Sequence, residues 1–183
     1  MSEKINDKNL KQNVENKEKG VFFINQKFND ELLEFLFLDM KKAIDNKSVE
    51  KIKIYINSSG GYLSTLFPLV DLIDSTNKNI ETICLGKAYS CGAMLLLAGK
   101  KRFAYKNSNI LLHEVACDYG HNKNSQNQEY SKWLNEQNKK LIKMVKEKTI
   151  MSKKEIDKYF KSNKDIFINS TQALKYKIID KII

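Results

Sequence analysis

Three residues of this chain carry the parts of acyl-transfer chemistry, in the order Ser90, His113 and Asp165. A serine hydroxyl can attack a carbonyl, an imidazole can take its proton and later return it to the leaving amine, and a carboxylate can hold the imidazole in the working tautomer. Ser90 lies in the stretch Leu85 to Gly99, LGKAYSCGAMLLLAG, at the point where a helix would begin. Unpaired N–H groups cluster at a helix start, and the helix dipole favours negative charge there. The N–H of Cys91 can therefore help to hold an oxyanion. A second such donor is the N–H of Gly61, which ends the run Asn57-Ser58-Ser59-Gly60-Gly61, another place where a strand turns into a helix. The small residues Ala88, Gly92 and Ala93 let a substrate backbone come close. Each of these residues also has a plainer reading. Serine is a favoured N-cap. Paired glycines suit any tight turn. A lone histidine at a strand end is more often structural, and an aspartate before an apolar triplet is more often a solvated turn residue.

The elements that must position these groups follow from apolar periodicity. Val21 to Ile24 reads as a short strand, and Asn29 or Asp30 can cap a helix running through Ala43. Lys51 to Ile56 alternates, with Ile52, Ile54 and Ile56 on one face, and runs into the Gly60-Gly61 turn. A helix over Leu66 to Ile73 tolerates Pro68 only in its first turn. Ile80 to Leu85 is a strand, followed by a turn through Gly86, Lys87 and Ala88 and a helix from Ser90 to Ala98. Two successive strand–turn–helix units imply a parallel arrangement, α/β or α+β. Strands are expected over Arg102 to Tyr105 and Asn109 to His113. A polar loop, Asp118 to Asn127, carries His121, to which no role is given. A long helix over Gln128 to Thr149 shows an apolar stripe that includes Trp133, Leu141 and Val145 and suits core packing or a subunit interface. Ser152 and Glu155 form a capping box for a helix through Lys161. Ser170 can cap a short helix, and Ile178 to Ile183 closes as a strand.

A chain of 183 residues with 42% hydrophobic residues makes one domain with a proper core. Residues Met1 to Lys19 are polar and lysine-rich and read as a disordered tail before a single domain over residues 20–183. The formal charge is +10, and Lys132 to Lys164 alone contains eleven lysines against four acids. Those lysines lie on amphipathic helix with no aromatic platform beside them, which favours a solvated face over nucleic-acid binding. Cys84, Cys91 and Cys117 are odd in number and lack CxxC spacing, against a disulfide framework or a structural zinc site and in keeping with a reducing, cytoplasmic setting. No apolar run is long enough to span a bilayer, and no secretory signal opens the chain.

From Val21 onward, about nine-tenths of its length, the chain resembles the Clp protease proteolytic subunit (ClpP) family. The segments that carry the resemblance are YINSSGGYLS, TICLGKAYSCGAMLLLAG, KRFAYKNSNILLHE and DIFINSTQALKYKIID, in that order. It implies a crotonase-like ββα-superhelix core with a protruding long helix, a handle over about residues 128–149 that joins two rings. It implies the triad Ser90, His113 and Asp165, an oxyanion hole of Gly61 and Cys91 N–H groups, and substrate contacts at Gly60, Gly61 and Glu114. It also implies heptameric rings stacked as a tetradecamer around a proteolytic chamber, fed with unfolded polypeptide by a Clp-family ATPase unfoldase. No cofactor or metal is expected on this chain, which has no Walker A pattern, so ATP enters only through such a partner.

The chain departs from the family pattern in places. Tyr89 stands for a small residue, Cys91 for a methionine, Ser59 for a proline, and Glu114-Val115 for Gln-Pro. Met1 to Lys19 lacks the family's N-terminal pore pattern, and Cys117 to Asn127 lacks its glycine-rich version of the ring-joining strand. Three other readings stand beside the serine endopeptidase. They are a different crotonase-fold enzyme acting on acyl-CoA, a non-catalytic ring subunit, and a cysteine peptidase built on Cys91 and His113.

Overall fold

The structure is a computed structural model that describes Asn16 and residues 18–116, 124–162 and 164–183, with only the backbone described for residues 124–127. Most of the expected N-terminal tail, Cys117, and His121 with most of its loop lie outside the described residues. The elements, in chain order, are β1 (Val21–Ile24), α1 (Asp30–Asp45), β2 (Lys51–Ser58), α2 (Leu63–Asp74), β3 (Asn79–Tyr89), α3 (Cys91–Ala98), β4 (Lys101–Ala104), β5 (Asn109–Leu111), α4 (Asn124–Lys148), α5 (Lys153–Phe160), β6 (Phe167–Asn169), α6 (Ser170–Lys175) and β7 (Lys181–Ile182).

Strands and helices alternate, so the sheet is parallel along its main path, β1-β2-β3-β4-β7. Ile52, Ile54, Ile56, Ile80 and Cys84 on its central strands are fully buried, as expected where helices cover a parallel sheet. α3 reads CGAMLLLA and is buried along its whole length; a short helix that is apolar on all sides belongs inside a core. It lies on β3 and packs against α2 and α4.

The strand β3 differs from expectation. It does not turn at Gly86, Lys87 and Ala88 but continues to Tyr89. Its pairing with β2 slips between Ile56↔Cys84 and Ser58↔Ala88, so the extra residues bulge. Gly86, with φ 85°, sits in the bulge, where a residue without a Cβ absorbs the bend. Past the bulge β3 takes a new neighbour, pairing Lys87↔Asn109, Ala88↔Ile110 and Tyr89↔Leu111 with β5. β5 in turn pairs antiparallel with β6, ending at Leu111↔Phe167.

Other boundaries also shift. Pro68 is not in the first turn of its helix, because α2 begins at Leu63. The N–H it lacks would have met the carbonyl of Ser64, an exposed residue, so the lost bond falls on the solvent side, where it costs least. Asn29 caps α1 by accepting from the Leu32 N–H at 3.0 Å. α4 starts at Asn124, earlier than expected, taking in residues assigned to the polar loop. Asn169, not Ser170, caps α6, in a capping box with Gln172. Ser170 is instead buried, its hydroxyl donating to the Tyr105 carbonyl at 2.7 Å. The last strand is only Lys181–Ile182, because Ile178 and Ile179 are spent on the core. Among the described residues no helix is long and apolar enough to cross a membrane.

Candidate active site

Ser90 is the single residue on which β3 becomes α3. Its φ of 54° and ψ of −119° lie where residues with side chains are rarely found, so the turn holds strain. Neighbouring bonds hold that conformation. The Ser90 N–H donates to the Leu111 carbonyl at 2.9 Å, and the Ser90 carbonyl accepts from the N–H groups of Ala93 at 2.9 Å and Met94 at 3.1 Å. Ser90 occupies the N-cap position but its side chain makes no capping hydrogen bond. An ordinary capping serine has extended backbone and spends its hydroxyl on the helix; this one does neither.

The turn after β2 is pressed against Ser90. A Cβ on Gly60 would lie 2.6 Å from the Ser90 Cβ and 2.8 Å from the Tyr89 carbonyl oxygen, and Gly60 has φ 92°. A Cβ on Gly61 would lie 2.1 Å from the Phe28 carbonyl oxygen. Both glycines are therefore required by close approach. The Phe28 N–H donates to the Gly60 carbonyl at 2.8 Å, and the Tyr62 N–H donates to the Phe28 carbonyl at 2.7 Å. The Gly60–Gly61 peptide is trans, as are all peptides among the described residues, so the Gly61 N–H points opposite to the Gly60 carbonyl, away from Phe28. Among the described residues neither the Gly61 N–H nor the Cys91 N–H donates to a backbone carbonyl.

The ladder β3-β5-β6 brings the other groups to the same place. Tyr89, Leu111 and Phe167 lie in one row across the three strands. Ser90 follows Tyr89, His113 is two residues past Leu111, and Asp165 is two residues before Phe167. Since β5 runs parallel to β3 and β6 antiparallel to β5, all three positions leave the sheet by the same end. The Tyr89 and Phe167 rings meet edge to face, centroids 5.3 Å apart, which ties the strand before Ser90 to the segment after Asp165.

Ser90, Cys91, Gly61, His113 and Glu114 line one cleft of about 230 Å³. Asp165 is exposed and is not among the residues lining it. Gly60 touches the site through Ser90 rather than through the cleft wall. His113 is half-buried and Glu114 exposed. The segment that carries them is held by the Val115 N–H donating to the Asn138 side-chain oxygen of α4 at 2.7 Å.

Sequence reasoning did not place Leu63, Met94, Val115 and Leu141 at the cleft, yet they form its apolar wall. Met94 was findable, being one helical turn past Ser90. Leu141 showed only as part of the α4 stripe, and periodicity does not say what a stripe faces. Lys87 was also missed: its Nζ donates to the hydroxyl of Ser59, a cleft residue, at 2.9 Å.

Burial pushes the Cys91 thiol up to about 11, against smaller downward effects of the Gly61 backbone and the Ser90 hydroxyl. The thiol donates to the Gly61 carbonyl at 3.1 Å. Among the described residues no group of three or more His, Cys, Asp or Glu side chains is placed to hold a metal ion.

The Clp protease family profile matches residues 8–183. The match thus reaches back into the segment set aside as a tail. The chain is 31% identical over 166 residues to the ATP-dependent Clp protease proteolytic subunit of Carsonella ruddii (strain PV), covering 89% of this chain and 83% of that one. It is 30% identical over 188 residues to the subunit of the same name from Cyanophora paradoxa, covering 97% and 93%. It is 41% identical over 101 residues to the ATP-dependent Clp protease proteolytic subunit 2 of Bacillus licheniformis, covering about half of each, 51% and 50%. On the extent of these matches, and with a parallel sheet of the expected class beneath them, the chain belongs to the Clp protease family of proteolytic subunits, a family of peptidases.

Proposed function

We propose that this protein is a serine endopeptidase that cleaves unfolded polypeptides through an acyl-enzyme. The observation that carries the reading is the turn at Ser90, a strained, non-capping serine that shares a cleft with His113. In the reading, the Ser90 hydroxyl attacks the peptide carbonyl and His113 accepts its proton, then delivers it to the leaving amine. Asp165 orients His113. Continuing the β5-β6 register two residues past Leu111↔Phe167 sets the two opposite one another, which supports the pairing. The N–H groups of Gly61 and Cys91 hold the oxyanion, and Gly60, Gly61 and Glu114 contact the substrate strand.

The cysteine-peptidase alternative is disfavoured. A thiol held protonated to about 11 supplies almost no thiolate at neutral pH, and the thiolate is the nucleophile. The proposal extends to assembly as heptameric rings, stacked in pairs around a chamber, with an ATPase unfoldase as partner. The relatives' names, which call those proteins ATP-dependent, support a separate source of ATP hydrolysis for a chain with no phosphate-binding loop.

The test is labelling with a fluorescent phosphonate that reacts with activated serines, on wild type and Ser90→Ala, with the mass of the labelled particle measured. Labelling of a particle many times the 21.3 kDa chain, lost in Ser90→Ala, is expected. An assembled particle that does not label overturns the enzyme in favour of a scaffold subunit. Peptidase activity that survives Ser90→Ala but not Cys91→Ala restores the cysteine reading.

A further inference from the structure

We infer that the Cys91 side chain is a positioning residue of the oxyanion hole, its thiol tethering the Gly61 peptide to the start of α3. The inference rests on the proposed roles of the Gly61 and Cys91 N–H groups and adds what sets the distance between them.

Gly61 is hard to hold. It has no side chain, its φ of 149° is a conformation that other residues avoid, and the peptides on either side of it can turn. On the Gly60 side, the Phe28 N–H fixes the carbonyl at 2.8 Å. On the Tyr62 side, the N–H is fixed to the Phe28 carbonyl at 2.7 Å. These bonds tie Gly61 to the segment after β1. Neither ties it to α3, where the second donor sits. The contact that does is the Cys91 Sγ–H donating to the Gly61 carbonyl at 3.1 Å. One residue thus carries one N–H of the hole on its backbone and, through its side chain, holds the glycine that carries the other.

Two further features suit the role. Cys91 is 2% exposed, so water does not compete for the bond. Burial also keeps the thiol protonated, and therefore a donor, across the neutral range. A methionine, which the resemblance places at this position, has no S–H to give. The tether therefore belongs to this chain.

A hydrogen bond that positions a donor acts on the oxyanion more than on the bound ground state. Its loss lowers kcat and leaves KM nearly unchanged. Cys91→Ala removes the S–H, while Cys91→Ser keeps a hydroxyl donor on a shorter reach. With a fluorogenic peptide, kcat of Cys91→Ala is expected to fall about three- to tenfold at constant KM, the span that one net hydrogen bond represents. Cys91→Ser should recover a clear part of that loss. Affinity for a peptide boronate, which forms a tetrahedral adduct on the serine, should fall in Cys91→Ala by a similar factor. Thermal unfolding of each variant is recorded alongside, so that lost folding is not read as lost positioning.

Folded, assembled Cys91→Ala and Cys91→Ser with the same kcat, or a loss seen in KM alone, overturn the tether while leaving the serine peptidase intact. Wild-type turnover that persists in Ser90→Ala overturns the reading beneath it. The two failures are thus told apart in one set of assays.

Discussion

At the scale of single residues, the site depends on atoms that are withheld from water or absent altogether. The thiols of Cys84 and Cys91 are both raised by burial from about 9 to about 11. In the unfolded chain each loses its proton near the ordinary value, whereas in the folded chain it keeps the proton to about 11. Between those values the folded state binds more protons, so stability falls as pH rises. The stabilisation is whole below about pH 9 and is lost as pH rises through about 11. Thiolate absorbance titrated in a Cys117→Ser variant should rise near pH 11 in the native protein and near pH 9 in urea. A native rise near pH 9 would show that both thiols are wet. The glycine at position 60 makes the complementary point. Gly60→Ala puts a methyl 2.6 Å from the Ser90 Cβ at a φ of 92°. Peptidase activity should fall by more than about tenfold, together with a stability loss of about 1 kcal/mol or more. An active, fully stable Gly60→Ala would mean that the turn does not press on Ser90.

At the scale of elements, α1 is closed by a side chain from elsewhere in the chain. The last turn of α1 leaves carbonyls without helical partners. Lys78, just before β3, inserts its ammonium group among three carbonyls of this segment. It donates to the Ala43 carbonyl at 3.1 Å, to Val49 at 2.5 Å, and to Asn46. A cation there also opposes the negative end of the helix dipole. Lys78→Met keeps the aliphatic stem and removes the donor. It should destabilise by about 1.5–3 kcal/mol, the range for hydrogen bonds to a charged group, lowering Tm by about 3–12 °C. A Tm within a degree of wild type would mean that water replaces the cap. The helix α2 offers the opposite case. Thr65 is fully buried and its hydroxyl has no hydrogen-bond partner among the described residues. Thr65→Val keeps the shape and removes that unpaired group, so the variant should unfold at the same or a higher denaturant concentration.

At the scale of the whole molecule, apolar surface remains uncovered. Phe35 and Leu38 on α1 are 63% and 61% exposed, and Leu33, Phe37, Leu38 and Pro68 line a shallow apolar groove between α1 and α2. Residues 128–133 of α4 are also exposed, with Tyr130 and Trp133 at 44% and 46%, whereas Leu141 and Val145 further along are buried. Apolar patches of this kind mark surfaces that meet another protein, and the proposed ring assembly gives them one. Leu38→Glu should shift the particle to a smaller mass in solution while the circular dichroism of the chain stays native. An unchanged mass would place the subunit contacts on another face.

Much of this was legible in the sequence, and the reason is local. The β1 and β2 patterns, the Asn29 and Ser152 caps, and the two strand–turn–helix units follow from periodicity and from residues a few positions apart. Ser90, His113, Gly61 and Cys91 were also named from sequence, and the fold brings them to one cleft. What sequence missed depends on contacts across the chain. Read locally, Gly86 to Ala88 is a turn; only the arrival of β5 beside β3 makes it a bulged strand. Ser90 reads as a cap until the Leu111 carbonyl and the close approach of Gly60 fix it in a strained turn. The apolar wall from Leu63, Met94 and Leu141 comes from three helices whose packing no local pattern records. Sequence determined which residues are candidates for the chemistry, because that is a matter of side-chain type and of the local motif each sits in. Tertiary structure decided which backbone each must adopt, because that is set by partners far away in the chain.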